Sequence, residues 1–263
     1  MRIEIDGEAP RPVLLSEYRF PDHLFESFDL DIDLDTTGAN VTARLKGYRN
    51  LRANQPDAPL YLHGQDQEVL EVILDGKVLS ADDYVLGIES LAIHGVADSF
   101  DLTIRSHNNP AENTALEGLY LSNGMYCTQC EAEGFRRIAY FPDRPDVMTV
   151  YTTTIRAEKV SYPVLLSNGN LIETGDLGGG RHFAKWHDPF PKPSYLFAMV
   201  AGDLAHVEDR FTTMSGRVVT LRIFVEHGDE DRCGHAMDSL KRSMTWDEER
   251  FGLEYDLDLF MIV

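Results

Sequence analysis

Cysteine is scarce in this sequence, with only Cys127, Cys130 and Cys233 among 263 residues. So low and odd a count excludes a disulfide-stapled scaffold and fits a reducing compartment, so a cytoplasmic location is expected. Long apolar runs are missing too. No stretch approaches the ~18 residues needed to span a bilayer, and the charged start, Met1 to Asp6, has no apolar leader core. Positive charge is in short supply, with 24 Lys and Arg against 44 Asp and Glu and a net charge of -20. Such a surface repels phosphate backbones and attracts cations, including peptides with a free ammonium group. Neither a nucleic acid nor a membrane is an expected partner.

Several chemical signatures are also absent. None of the nine histidines is followed by Glu and no two stand four residues apart, so the helix-borne H-E-x-x-H zinc pair does not occur. His182 and His187 are five apart on an expected strand and project to opposite faces. Ordinary surface or core histidines account for all nine, and no metal ligands are assigned. Cys127 and Cys130 form a lone C-x-x-C without the second ligand pair of a structural zinc site. They also lack the βαβ setting of a thioredoxin-like redox pair, so two buried thiols are expected, with a redox role as the weaker alternative. No G-x-S-x-G nucleophile elbow is present. The glycine-rich run at 175–180 lacks the Gly-Lys-Ser/Thr ending of a phosphate loop and reads as a hairpin turn.

What is present is mainly β-structure. Residues 28–35 alternate apolar and acidic side chains strictly, which gives a strand one buried and one wet face. A turn at Thr36, Thr37 and Gly38 leads to a second alternating run, so the two read as an antiparallel hairpin. The Asp row lacks the convergent loop geometry of a calcium site. Further strands are expected at 69–74, 77–79, 84–93, 100–105, 150–157, 164–166, 182–186 and 195–200, separated by turn signals such as Asp75-Gly76. Many short strands suggest a sandwich or large curved sheet.

The character changes after Gly202 and Asp203. Strands at 210–213 and 218–226 precede one convincing helix. Its apolar stripe is Cys233, Ala236, Met237, Leu240 and Met244, with Asp229 or Asp231 as the expected cap and Gly252 as the stop. Residues 257–263 read as a buried strand. An exposed apolar run at a chain end invites aggregation, so the chain is expected to be cut short.

One segment is dense in polar groups amid the β-rich stretch: Thr128, Gln129, Cys130, Glu131, Ala132, Glu133, Gly134, Phe135, Arg136. Glu131 and Glu133, followed by Arg136 and Arg137, form either surface ion pairs, each worth little, or a carboxylate lining a cleft and placed to hold a cation. Composition and spacing leave both open.

These residues resemble the T-Q-x-E block of the gluzincin zinc aminopeptidases, in their bacterial aminopeptidase N branch. Other blocks resemble the same family in order: 113–120 (Asn-Thr-Ala-Leu-Glu-Gly-Leu-Tyr), 140–146 (Tyr-Phe-Pro-Asp-Arg-Pro-Asp), 166–170, 189–197, and the tail from Trp246 to Val263. The resemblance implies a fold: a large, saddle-like antiparallel β domain at residues 1–203. It would be followed at 204–263 by the opening strands and helix of an α+β, thermolysin-like catalytic domain, here truncated. It implies an activity, the removal of N-terminal amino acids from peptides, with zinc as the cofactor of the full-length parent. It also implies roles for two residues. Glu131 pairs with the substrate's α-ammonium and Gln129 lines the pocket for the first side chain, while Glu133 is structural.

The departures are as informative. The family's G-A-M-E-N segment, H-E-x-x-H, downstream Glu ligand and catalytic Tyr are not in this chain. No catalytic residue is therefore assigned here, and the chain by itself is expected to bind no zinc and cleave nothing. Its partners would be peptides with a free N-terminus and the missing downstream domains. The alternative is a non-catalytic β-rich protein-interaction module.

Overall fold

A computed structural model describes residues 14–35 and 38–263. The expected turn residues Thr36 and Thr37 lie outside the described residues. The first strands in chain order are β1 (His23–Asp35), β2 (Gly38–Arg49), β3 (Leu60–His63), β4 (Glu68–Leu74), β5 (Lys77–Val78), β6 (Tyr84–Leu86), β7 (Ser90–Ile93), β8 (Ser99–Asn108), β9 (Gly118–Ser122) and β10 (Met125–Gln129). There follow β11 (Met148–Glu158), β12 (Val164–Ser167), β13 (Asn170–Gly178), β14 (Arg181–Pro193), β15 (Met199–Gly202), β16 (Ala205–Thr212), β17 (Val218–Val225), the helix α1 (Gly234–Phe251) and β18 (Leu259–Ile262). The fold is mainly β, as the sequence implies.

An eight-stranded sheet runs β13-β14-β11-β1-β2-β8-β4-β5. Its centre is the alternating hairpin. Phe28, Leu30, Ile32 and Leu34 of β1 are all buried, and each such side chain contributes about 1.5–3 kcal/mol. The opposite face carries the Asp row, and each carboxylate meets a partner on another strand of the same sheet, β2, β11 or β14. Asp29 pairs with Arg44 at 3.3 Å, Arg156 binds Asp31 through two bonds of 2.8 and 2.9 Å, Arg181 reaches Asp33, and Asp35 accepts from Asn40 at 2.9 Å. Cross-strand pairing, not cation binding, explains the acidic alternation.

Two strand pairs, β1 with β11 and β17 with β18, are parallel; every other pair among the described residues is antiparallel. Smaller sheets run β12-β15-β10-β9, β3-β7-β6 and β16-β17-β18. One apolar core lies beneath the first three sheets, and a second gathers Val219, Leu221, Ile223, Cys233, Met237 and Met244 between β17 and α1. Among the described residues no helix is long and apolar enough to cross a membrane.

Local details correct the sequence reading. The single strand expected at 84–93 is two, because Gly87 donates its N–H to the Ser90 carbonyl at 2.8 Å and leaves Ile88 at the turn 97% exposed. Residues 195–200 do not form one strand. A 3-10 turn, Ser194–Leu196, follows Pro193 before β15 begins. Neither Asp229 nor Asp231 caps α1 with its side chain. A 3-10 turn, Glu230–Arg232, runs straight into the helix, and the Asp229 carboxylate instead binds Arg232 at 2.7 Å. Gly252 ends the helix as expected, with φ 67°. The terminal strand β18 is half-buried, not buried, since among the described residues β17 is its one strand partner, at the edge of a three-stranded sheet.

Candidate functional site

The β9–β10 hairpin turns at Asn123 and Gly124, both at positive φ (50° and 81°), the conformation a tight hairpin needs. Gly118 of β9 then stands opposite Gln129 of β10. Beyond Gln129 the chain leaves the sheet and folds into a compact turn over 130–137. Gly134 donates to the Cys130 carbonyl at 2.8 Å, and the 3-10 turn Phe135–Arg137 follows. A methyl group at Gly134 would stand 2.4 Å from the Gln129 oxygen and 2.9 Å from the Gly118 nitrogen, so only glycine lets the turn pack on the hairpin. Phe135 is fully buried and anchors the turn against Phe28, Phe141, Tyr151 and Phe197.

Both sequence-assigned residues sit on the outer side of this base. Gln129 and Glu131 are exposed, and the Gln129 amide donates to the Glu131 main-chain oxygen at 3.1 Å. The Glu131–Ala132 peptide bond is cis. Among the described residues no cation lies within ion-pair distance of the Glu131 carboxylate. Glu133 behaves differently and stands 3.5 Å from Arg136. The surface-ion-pair alternative therefore fits Glu133 and not Glu131. Arg137 turns to Asp66 and Glu117.

The turn is fastened from below by a residue to which the sequence assigned no role. Asp143 has a buried carboxylate that accepts from the Arg136 backbone N–H and Nε at 3.1 Å each and from Ser194 Oγ at 2.6 Å. Beside it, burial and then the Asp143 charge push the Cys130 thiol far up. Burial likewise raises the Cys127 thiol, although Cys127 is half-buried and not buried as expected. Two thiols held protonated do not suit redox chemistry, where the thiolate reacts.

Two apolar clefts lie elsewhere. One of about 300 Å³ is lined by residues including Leu166, Met199, Tyr255, Leu259 and Met261, and another of about 620 Å³ lies between Phe190 and α1. Neither is lined by Gln129 or Glu131. Among the described residues no three His, Cys, Asp or Glu side chains converge so as to hold a metal ion.

The sequence profile of the Peptidase M1 N-terminal domain matches residues 26–196. The chain is 51% identical over 256 residues to aminopeptidase N of Caulobacter vibrioides and 49% identical to that of Escherichia coli K12. Each alignment covers 97% of this chain but 29% of the relative. A crystal structure of Legionella pneumophila aminopeptidase A in complex with aspartic acid superposes with a TM-score of 0.90 at 38% identity, covering 94% of this chain and 29% of that one. The chain thus spans less than a third of the length of these relatives. The profile match begins inside β1 and runs through both the hairpin and the Glu131 turn to the end of the Ser194 3-10 turn, so this chain belongs to the Peptidase M1 N-terminal domain family.

Proposed function

We propose that this chain supplies the wall of a zinc aminopeptidase that receives the amino terminus of a peptide. The observation that carries the reading is Glu131: an exposed carboxylate without a cationic partner among the described residues, next to Gln129, on a turn whose base is buried. A free α-amino group titrates near ~7.7–8.0 and is largely cationic at neutral pH. A fixed carboxylate favours that cation over a blocked or internal peptide nitrogen, which sets the register for removing one residue at a time. Gln129, neutral and adjacent, lines the pocket for the first side chain. That the relatives are aminopeptidases supports this substrate class.

In this reading residues 204–263 open the catalytic domain, supported by the separate apolar core of β16–β18 and α1. The zinc of M1 aminopeptidases is then held by residues outside these 263, and the chain alone hydrolyses nothing. Its three unpaired thiols support a cytoplasmic setting.

The test joins residues 1–263 to the remainder of Caulobacter vibrioides aminopeptidase N in place of the matching segment. The joined protein is expected to hydrolyse aminoacyl anilides. Glu131→Gln exchanges a charge-assisted hydrogen bond, worth ~1.5–3 kcal/mol, for a neutral one worth ~1 kcal/mol, a loss of ~0.5–2 kcal/mol or about 2- to 30-fold in KM. An unchanged KM in a folded E131Q protein overturns the assignment.

A further inference from the structure

Asp143 is a charge kept out of water at considerable cost. Its side chain is 1% exposed and its partner Arg136 13% exposed. Burying such a pair is weak as a source of stability, because an apolar pair of the same volume often serves as well or better. What an ion pair adds is direction. Among the described residues every side-chain bond of Asp143 ends on one of two segments, the 130–137 turn through the N–H and Nε of Arg136, and the start of the 3-10 turn through Ser194. The Arg136 guanidinium also donates to the Asp143 main-chain oxygen at 3.4 Å, and the Asp143 N–H donates to His63 Nδ1 at 3.1 Å. From the other side the Arg136 carbonyl accepts from the Gln65 N–H at 2.8 Å and the Gln67 amide at 2.7 Å. Arg136 also reaches Glu133, two residues beyond Glu131. The clamp thus closes on the segment that presents Glu131, while leaving Glu131 itself exposed.

We propose that Asp143 is a positioning residue for Glu131: with Arg136 and Ser194 it fixes the 130–137 turn so that the Glu131 carboxylate stands ready for a substrate ammonium. This rests on the amino-terminus reading above. Asp143 touches no substrate, and its whole effect passes through the placement of the turn.

The experiment has two arms. In the joined aminopeptidase, Asp143→Asn and the milder Ser194→Ala are each combined with Glu131→Gln. Residues coupled through a shared backbone shift couple by about 0.5–3 kcal/mol, or roughly 2- to 150-fold. Both single variants are therefore expected to raise KM for aminoacyl anilides by at least about 3-fold with kcat held within about 2-fold. Neither is expected to raise KM further once Glu131 is Gln. KM effects that persist unchanged in the E131Q background, or a fall in kcat alone, overturn the proposal. If D143N does not fold, S194A carries the same test, because it removes one hydrogen bond and leaves the charge pair intact. In the second arm, hydrogen exchange on the 263-residue chain is expected to speed up in S194A at the amides of Gly134, Arg136 and Arg137, with β1 and β2 unchanged. Unchanged exchange at the turn overturns the clamp. An E131Q protein with normal KM overturns the amino-terminus reading itself, and faster exchange at the turn in S194A then shows that the failure lies in that reading and not in the clamp.

Discussion

Gly134→Ala separates steric from conformational reasons for a glycine. Gly134 sits at φ -80° and ψ -18°, a conformation any residue adopts. On backbone grounds alone Ala would stabilise the chain by ~0.4–1 kcal/mol, because it restricts the unfolded state. The packing opposes this. The added methyl would lie 2.4 Å from the Gln129 oxygen, 2.9 Å from the Gly118 nitrogen and 3.2 Å from the Cys130 Cα. All three are main-chain atoms, so no flexible side chain can swing aside. Overpacking of this kind costs ~1–3 kcal/mol. Setting the smaller gain against it leaves a net loss of about 0–2.6 kcal/mol, centred near ~1.3 kcal/mol, which is roughly 3–5 °C in Tm for a chain of this size. Gly234, the first residue of α1, is the control, since a methyl there meets nothing within 4 Å. Gly234→Ala is expected to stabilise by about 0.5–1 kcal/mol. Urea midpoints and Tm values of both variants of the 263-residue chain decide the matter. A Gly134→Ala chain as stable as Gly234→Ala would refute the steric account of the turn.

Stability should fall as pH drops below about 6.5, because the buried His23 and the half-buried His63 resist charging. Burial and then Arg49 lower the pKa of His23, and burial and then Arg136 lower that of His63. The unfolded chain binds protons below its ordinary histidine pKa while the folded chain does not. The contribution is therefore complete above about 6.5 and is lost as pH drops toward the depressed folded values. Replacing His23 by Phe should flatten the urea-midpoint profile, and an unaltered profile would count against its burial as the cause. The two-bond pair of Arg156 with Asp31, about a quarter exposed, should give a double-mutant coupling of about 0.5–1 kcal/mol that shrinks in high salt. Salt-independent coupling would contradict that exposure. In the native chain a disulfide reagent should modify Cys127 before Cys130 and Cys233, which are buried. Equal rates for all three would show that the turn and the second core open freely.

Much of the fold was legible because alternation has a direct physical meaning. The row Phe28, Leu30, Ile32, Leu34 against Asp29, Asp31, Asp33, Asp35 assigned the side chains of 28–35 to their faces, and the next alternating run marked the antiparallel hairpin with β2. The stripe Cys233, Met237 and Met244 did the same for α1. Short-range chemistry also located the Gly252 stop and the glycine-rich hairpin. Ion-pair partners were not legible, because Asp31 and Arg156 are separated by 125 residues and meet through the parallel β1–β11 pairing. Nor was it legible that Asp229 would turn to Arg232 and leave α1 without a side-chain cap.

The same division holds at the candidate site. By itself the sequence determined the family and the β-rich class, and its resemblance proposed Gln129 and Glu131 for the substrate site. Whether Glu131 or Glu133 would be spent on Arg136 depended on the path of the 130–137 turn. That path is set by contacts from far along the chain: Gln65 and Gln67 above, Asp143 and Ser194 below, Phe135 in the core. Only the tertiary structure brings those groups together. A carboxylate's partners are fixed by distance in space, and spacing along the chain does not encode it.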